Sequence, residues 1–253
     1  MNLKEFFDQN PRIAIAFSGG VDSSYLLYAA KTHGCDVKAY YVKTAFQPQF
    51  ELDDAMRFAY MHSVPMRIVH IDVFQSKEIL ENPKDRCYYC KKAVFTALID
   101  AAREDGYTII CDGTNASDDA TERAGMRALA ELGVLSPLRE AGLTKSEIRR
   151  LSREAGLFTH DKPSYACLAT RIPTGTEITQ ERLNIVATGE DLLRTLGFTD
   201  FRLRYLGDVA RLQIPANQFK LAMELRDRIT AILKPYFQSV LLDLTPRQTE
   251  SVI

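Results

Sequence analysis

The sequence predicts an α/β protein, a doubly wound parallel sheet followed by a smaller C-terminal α+β domain. Three observations carry this. Apolar runs of strand length alternate with segments of helical period through the first two-thirds of the chain, and strands joined by crossover helices form parallel sheets. The first apolar run, Ile13 to Phe17, passes at once through Ser18-Gly19-Gly20 into the apolar stretch Tyr25 to Ala30. After Pro163 the rhythm changes: Ser164 to Gly175 has no period, and shorter elements follow. The expected organisation is a first domain over residues 1–163, a loop or linker over 164–177 and a small α+β domain over 178–253.

Taken in order, Ile13 to Phe17 reads as a buried strand and the segment beyond Ser24 as a helix. Val37 to Val42 is a second strand. Glu51 to His62 has helical spacing, with Leu52, Ala55, Met56, Ala59 and Tyr60 on one side. Met66 to Ile71 is a third strand. Lys91 to Arg103 is a helix whose stripe is Val94, Phe95, Leu98, Ile99 and Ala102. Thr108 to Cys111 is a fourth strand, and Asp119 to Leu132 a helix that Gly133 ends. Thr144 and Glu147 form a capping box at the start of another helix. In the second part, Thr179 to Leu196 is a helix with Arg182 where a capping box has its acid. Phe201 to Tyr205 and Val209 to Ile214 are strands flanking Gly207-Asp208, Ala216 to Tyr236 is one long helix, and Val240 to Leu244 is a last strand.

Composition narrows the classes. The chain of 253 residues is 46% hydrophobic and 26% charged, ordinary for a globular protein. Its 32 basic and 33 acidic residues leave a formal charge of −1. That balance disfavours nucleic acid as a partner, since such proteins carry a basic excess. No apolar run has spanning length and the N-terminus lacks a signal-peptide core, so no membrane partner and a cytoplasmic location are expected. There the five cysteines would be reduced or metal-bound.

The most informative stretch is Ser18-Gly19-Gly20-Val21-Asp22-Ser23-Ser24. Adjacent glycines let the backbone come close to an anion. The free N–H groups and dipole of the following helix favour negative charge there. Ser18, Ser23 and Ser24 add hydroxyl donors. No Gly-Lys-Ser/Thr follows, so this is not a Walker loop. The run resembles the PP-loop of the ATP pyrophosphatases, with the adenine nucleotide alpha hydrolase-like fold. Those enzymes cleave ATP between its α- and β-phosphates to form an adenylate. The resemblance implies ATP on Ser18, Gly19, Gly20, Asp22, Ser23 and Ser24, with Mg2+ and pyrophosphate beside Asp22. It also implies that the adenine lies near Val42 and Lys43, and that Gly113 opens the next turn at the same sheet edge.

Cys87 and Cys90 form a C-x-x-C ahead of a predicted helix, a spacing open to zinc, redox or cluster chemistry. No second pair is present. Cys167 is the remaining cysteine in a polar loop, with His160 a further candidate ligand. Cys35 and Cys111 read as packing residues. Asp85 to Lys91, Asp112 to Asn115 with Asp118-Asp119, Ser136-Pro137-Leu138, Lys162-Pro163 through Cys167 to Pro173, and Arg202 to Tyr205 with Ala210-Arg211 complete a set of segments. Together they resemble the LarE-type ATP-dependent sulfur transferases that help make a nickel-pincer nucleotide cofactor for lactate racemase. The likeness runs to about Leu244; the ending, Thr245 to Glu250, departs from the family's Gly-Tyr-Arg-x-Gly-Ser type of tail.

The resemblance implies adenylylation of a carboxylate of a pyridinium biscarboxylate mononucleotide, then its conversion to a thiocarboxylate. One-cysteine members give up the sulfur at the position of Cys167. Three-cysteine members, which this chain resembles, would hold an oxygen-sensitive [4Fe–4S] cluster on Cys87, Cys90 and Cys167 and carry a transferable sulfide drawn from a sulfur donor. The resemblance further implies a homo-oligomer, a metal role for Glu190, and substrate contacts from Arg171, Arg202 and Arg204, since arginine suits phosphate and carboxylate. Arg202 and Arg204 share one strand face. Asp118, Asp119 and Arg123 stand at a helix start. The last domain would serve substrate binding and oligomerisation. A tRNA thiolase, an ammonia-dependent amide-forming synthetase and a zinc-bearing nucleotide sensor are the competing readings. The amide-forming synthetase leaves the C-x-x-C and Cys167 unexplained.

Overall fold

The computed structural model of the chain describes residues 1–118 and 124–248. Asp119, Arg123 and the end of the tail from Thr249 lie outside the described residues. Two compact units are present. One comprises Met1–Val73 and Asp85–Lys162, the other Phe74–Lys84 and, among the described residues, Pro163–Gln248.

The first unit opens with a helix, α1 (Leu3–Gln9), whose start is a capping box between Asn2 and Glu5 and whose Phe6 and Phe7 are buried. Then come β1 (Arg12–Ala16), α2 (Val21–Thr32), β2 (Asp36–Lys43), α3 (Gln49–Met61) and β3 (Met66–His70). A short helix of the second unit, α4 (Lys77–Leu80), intervenes. The first unit resumes with α5 (Arg86–Glu104), β4 (Ile110–Cys111), α6 (Ala124–Glu131), α7 (Pro137–Glu140) and α8 (Lys145–Glu154). The sheet is wholly parallel in the order β3-β2-β1-β4, the doubly wound arrangement that the alternation of elements predicts. β1 lies inside it, with Ile13, Ala14 and Ile15 fully buried. Ile13 and Ile15 pack with Leu26, Leu27 and Phe58, while Ala14 meets Tyr40, Leu98 and Ile110 in a separate cluster. This alternation follows from the two-residue period of a strand.

Several expectations need correction. Helix α5 starts at Arg86, so Cys87 and Cys90 sit in its first two turns rather than ahead of it. Nothing in Cys87-Tyr88-Tyr89-Cys90 breaks a helix; the apolar stripe merely begins later, at the turns that reach the core. On α3 the buried residues are Leu52, Ala55, Phe58 and Ala59, whereas Met56 and Tyr60 are exposed. Phe58 packs against Phe17 and takes the place on the core face that the pattern gave to its neighbours. β4 is shorter than expected, because only Ile110 and Cys111 pair with β1 before a bridge to Leu135 takes over.

The second unit contains α9 (Gln180–Thr195), β5 (Arg202–Leu206), β6 (Val209–Gln213), α10 (Phe219–Glu224), α11 (Arg226–Leu233) and β7 (Ser239–Leu242). Thr179 caps α9 by accepting from the Arg182 N–H. β5 and β6 form a hairpin over Gly207-Asp208, with Gly207 at φ +69°, and β7 lies parallel to β6. The segment expected as one long helix is two. A 3-10 turn opens it and Leu225, at φ −100° and ψ 11°, breaks it. Ala222, Ile229 and Leu233 thereby reach one core with Leu203, Leu212 and Phe237. Among the described residues, no helix is long and apolar enough to cross a membrane.

Candidate active site

The strand order reverses between β1 and β4, and the carboxyl ends of those strands bracket the crevice where open α/β sheets take ligands. The Ser18–Ser24 loop leaves β1 at that edge. Gly19 is at φ +71°, a conformation L side chains rarely adopt, and an added Cβ would lie 3.2 Å from the Ala55 side chain. The loop ties itself together. Ser18 Oγ lies 3.1 Å from Ser23 Oγ, the Gly20 N–H donates to Ser18 Oγ, and Ser23 Oγ donates to the Gly20 carbonyl. Gly20 is the N-cap of α2 and no side chain caps that helix among the described residues, so its first-turn N–H groups stay open toward the loop. Ser24 is fully buried and its Oγ has no partner among the described residues.

Gly113 follows β4 and fits against this helix start. A Cβ there would lie 2.9 Å from the Ser23 nitrogen, so only glycine allows the approach. The turn is held by Asp112, which accepts from the Thr114 N–H, from the Thr114 hydroxyl and from Ser136 Oγ at 2.7 Å. Asn115 Nδ2 lies 3.4 Å from Asp22 Oδ1. Asp22 is also paired to Lys145 Nζ at 2.6 Å. Burial raises the Asp22 carboxyl above its ordinary range, outweighing the nearby Lys145 charge. Lys145 is the first residue of α8, whose capping box of Thr144 and Glu147 forms as the spacing predicts. Lys162 Nζ donates to the Gly19 carbonyl at 3.2 Å and pairs with Asp54 at 2.6 Å. The sequence gives no sign of these two ammonium groups at the loop, since they lie 123 residues beyond Asp22 and 143 beyond Gly19.

Val42 and Lys43 end β2 at the same sheet edge. The Lys43 carbonyl accepts from the Ile71 N–H, and its Nζ donates to the Gln47 carbonyl at 2.5 Å. Burial lowers the Lys43 ammonium below its usual range.

Among the cysteines, Cys35 and Cys111 are buried, and burial pushes the Cys111 thiol far up, as suits packing residues. Cys87 is exposed and Cys90 half-buried, one turn apart on α5, and neither is in a disulfide. Cys167 is half-buried in the second unit, and its carbonyl accepts from the Thr170 N–H and hydroxyl at 2.9 and 2.8 Å. His160 Nδ1 lies 2.9 Å from the Leu157 carbonyl. Among the described residues no three His, Cys, Asp or Glu side chains gather as a metal centre.

The Cys167 segment is held by arginines. Arg171, fully buried, meets Glu190 at 2.8 and 3.2 Å and donates to the Ala166 carbonyl and the Thr170 hydroxyl. Glu190 also accepts from the Tyr165 hydroxyl at 2.5 Å and the Leu203 N–H at 3.1 Å. Both its oxygens are therefore engaged within the protein. Burial raises the Glu190 carboxyl, but Arg171 and Tyr165 more than offset it and the net shift is downward. Arg202 donates to the Ser164 carbonyl at 2.6 Å, and Arg204 to the Thr170 carbonyl at 2.5 Å. Burial, then the charges of Arg171 and Arg247, bring Arg202 down to about 10. Arg204 is lowered for the same kind of reason, by burial and by Arg171, Arg211 and Arg247. Arg202 also meets Asp200 at 3.7 Å, so the three arginines 171, 202 and 204 face two acids, Glu190 and Asp200.

Comparison with known proteins extends these observations. Residues 11–131 match the tRNA methyl transferase HUP domain family. A pyridinium-3,5-bisthiocarboxylic acid mononucleotide synthase of Lactiplantibacillus plantarum is 32% identical over 92% of this chain and 86% of its own length. An uncharacterized protein of Synechocystis is 36% identical over 87% of this chain and 82% of its own. A tRNA-specific 2-thiouridylase, MnmA, of Pseudothermotoga lettingae is 29% identical, but over 60% of this chain and 54% of its own length.

Proposed function

The chain belongs to the LarE-type family of PP-loop sulfur transferases, and from that membership we propose that it converts a carboxylate of a pyridinium biscarboxylate mononucleotide to a thiocarboxylate at the expense of ATP. The observation that carries the ATP half is the uncapped start of α2 behind Ser18–Ser24, set at the reversal point of the sheet. A substrate carboxylate oxygen attacks the α-phosphorus, and the bond to the β-phosphate oxygen breaks. Pyrophosphate leaves, and the acyl adenylate remains. The step is needed because a carboxylate is a poor electrophile and AMP is a good leaving group. The N–H groups at the α2 start and the Ser18 and Ser23 hydroxyls bind the phosphates. Asp22 is placed to hold Mg2+, and its oxygens are the hard donors that ion takes. Mg2+ would neutralise charge on the departing pyrophosphate.

Sulfur then attacks the acyl carbon and AMP departs with the former carboxylate oxygen. With Cys167 as donor, its Sγ forms a thioester; loss of the Cα proton and cleavage of Cβ–Sγ release the thiocarboxylate and leave dehydroalanine. Arg171 and Arg204 hold the backbone on either side of Cys167. The excess positive charge among Arg171, Arg202 and Arg204 supports recognition of an anionic nucleotide by this cluster. Glu190 fits the role of an ion-pair centre for Arg171 better than that of a metal ligand, because both its oxygens are engaged.

Cys87, Cys90 and Cys167 suit iron by their donor type, being cysteines outside any disulfide that are exposed or half-buried. Bound to them, a [4Fe–4S] cluster would supply a sulfide in place of the Cys167 sulfur and spare the chain. Thiolation of tRNA is the weaker reading, since the thiouridylase match covers 60% of the chain and the net charge is −1. The test is anaerobic incubation with ATP, Mg2+ and the pyridinium biscarboxylate mononucleotide. Pyrophosphate, AMP and thiocarboxylate are expected in that mixture and not with tRNA as acceptor. Thiolated tRNA without thiocarboxylate would reverse the choice. Iron reconstitution of the parent and of Cys87→Ala tests the cluster. A charge-transfer absorbance and bound iron should appear in the parent alone, and equal iron in both would remove the three-thiolate assignment.

A further inference from the structure

The loop Ser18 to Ser24 contains no lysine or arginine. By itself it meets the charge of a triphosphate with N–H groups and hydroxyls only. The fold brings two cations to it from the far end of the same unit. Lys145 Nζ stands 2.6 Å from Asp22 within the loop, and Lys162 Nζ stands 3.2 Å from the Gly19 carbonyl. Both side chains are largely buried, 22% and 14% exposed, so neither is an ordinary solvated lysine.

The segments that carry them are fixed. Lys145 begins α8 behind a formed capping box, and its N–H donates to Ser117 Oγ at 3.0 Å. Arg149, itself buried, donates to the His160 carbonyl at 2.8 Å and to the Lys162 carbonyl at 3.1 Å. The ammonium groups alone have freedom, on four-carbon stems. Each is balanced by one carboxylate, Lys145 by Asp22 and Lys162 by Asp54. Asp54 lies on α3 beside Ala55, the residue against which Gly19 packs.

We propose that Lys145 and Lys162 bind the β- and γ-phosphates of ATP and hold the departing pyrophosphate, each exchanging its carboxylate for phosphate oxygens when the nucleotide enters. This deepens the PP-loop reading and rests on it. Charge and reach favour the exchange. A polyphosphate offers several negative charges to two ammonium groups already aimed at the loop, where a carboxylate offers one. Lysine serves as a point charge for phosphate without needing a fixed fork of donors. The exchange leaves Asp22 free to take a divalent cation and Asp54, 34% exposed, free to hydrate. No covalent bond changes.

The test separates phosphate contacts from adenosine contacts. Binding of inorganic pyrophosphate, AMP and ATP, each with Mg2+, is measured by calorimetry on the full chain, on Lys145→Met and on Lys162→Met. Thermal unfolding without ligand checks that each variant folds, and Lys145→Arg and Lys162→Arg serve as charge-keeping variants. Pyrophosphate affinity should fall at least about tenfold in each Met variant, as expected for loss of one charged hydrogen bond. AMP affinity should change less than about twofold, and the Arg variants should recover part of the loss. Unchanged pyrophosphate affinity in both folded Met variants would overturn the inference while the loop reading stands. Equal losses for AMP and pyrophosphate would reduce the lysines to structural ion pairs and overturn it too. Failure of the parent chain to bind any of the three ligands would overturn the PP-loop reading itself.

Discussion

At the scale of single residues, Asp22 is the one carboxylate within Ser18–Ser24. Its carboxyl is raised above the ordinary range by burial, against the pull of Lys145. The proposed role in holding Mg2+ needs the ionised form. A raised value means that the ionised form is lost on acidification at a higher pH than for a free carboxylate, whose pKa is about 4. At limiting Mg2+, pyrophosphate release should therefore fall as pH drops through a point above that range. Asp22→Ala should reduce it by about a hundredfold or more, with the fold kept by circular dichroism. A rate in Asp22→Ala equal to that of the parent would remove Asp22 from the site. The Ser-Gly-Gly-Val-Asp-Ser-Ser run was readable from sequence because its chemistry is local. Lys145 and Lys162 were not, because their meaning arises only when the chain folds back on itself.

At the scale of elements, the Cys167 segment depends on α9. Glu190 on that helix anchors Arg171, and Arg171 in turn holds the Ala166 carbonyl. Removing one partner of a buried ion pair leaves an uncompensated charge and costs about 3–5 kcal/mol. Glu190→Ala should show that loss in denaturant unfolding, and an unchanged midpoint would refute the pairing. The pH sign follows from the direction of the shift. Glu190 has a lowered folded value, so its contribution is complete above its unfolded value of about 4.3 and disappears as pH falls through the lower, folded one. Glu190→Gln should lack that acid-side loss. Periodicity found β1, β2 and β3 as apolar runs and α5 as an apolar stripe. It missed α1, although Asn2 and Glu5 are a capping pattern. It also merged α10 with α11, because a break at Leu225 that keeps both apolar faces on one core leaves no trace in the spacing.

At the scale of the whole molecule, the residues proposed for the chemistry divide between two units. The first holds the loop, Asp22 and both lysines; the second holds Cys167, Glu190 and the arginines. Alternation of strand and helix made the first unit legible as doubly wound. The second was legible only as α+β, because its short strands and broken helix carry weaker patterns. The formal charge of −1 suits a small anionic substrate held by a local arginine cluster better than a polyanion spread over a surface. In the proposed reaction, activation belongs to the loop and sulfur delivery to Cys167. The most direct measurement is thiocarboxylate and pyrophosphate per chain, by mass spectrometry and enzymatic assay, in the parent and in Cys167→Ala. Both products are expected from the parent, and from Cys167→Ala pyrophosphate with no thiocarboxylate. Thiocarboxylate from Cys167→Ala at the parent's level would contradict that assignment.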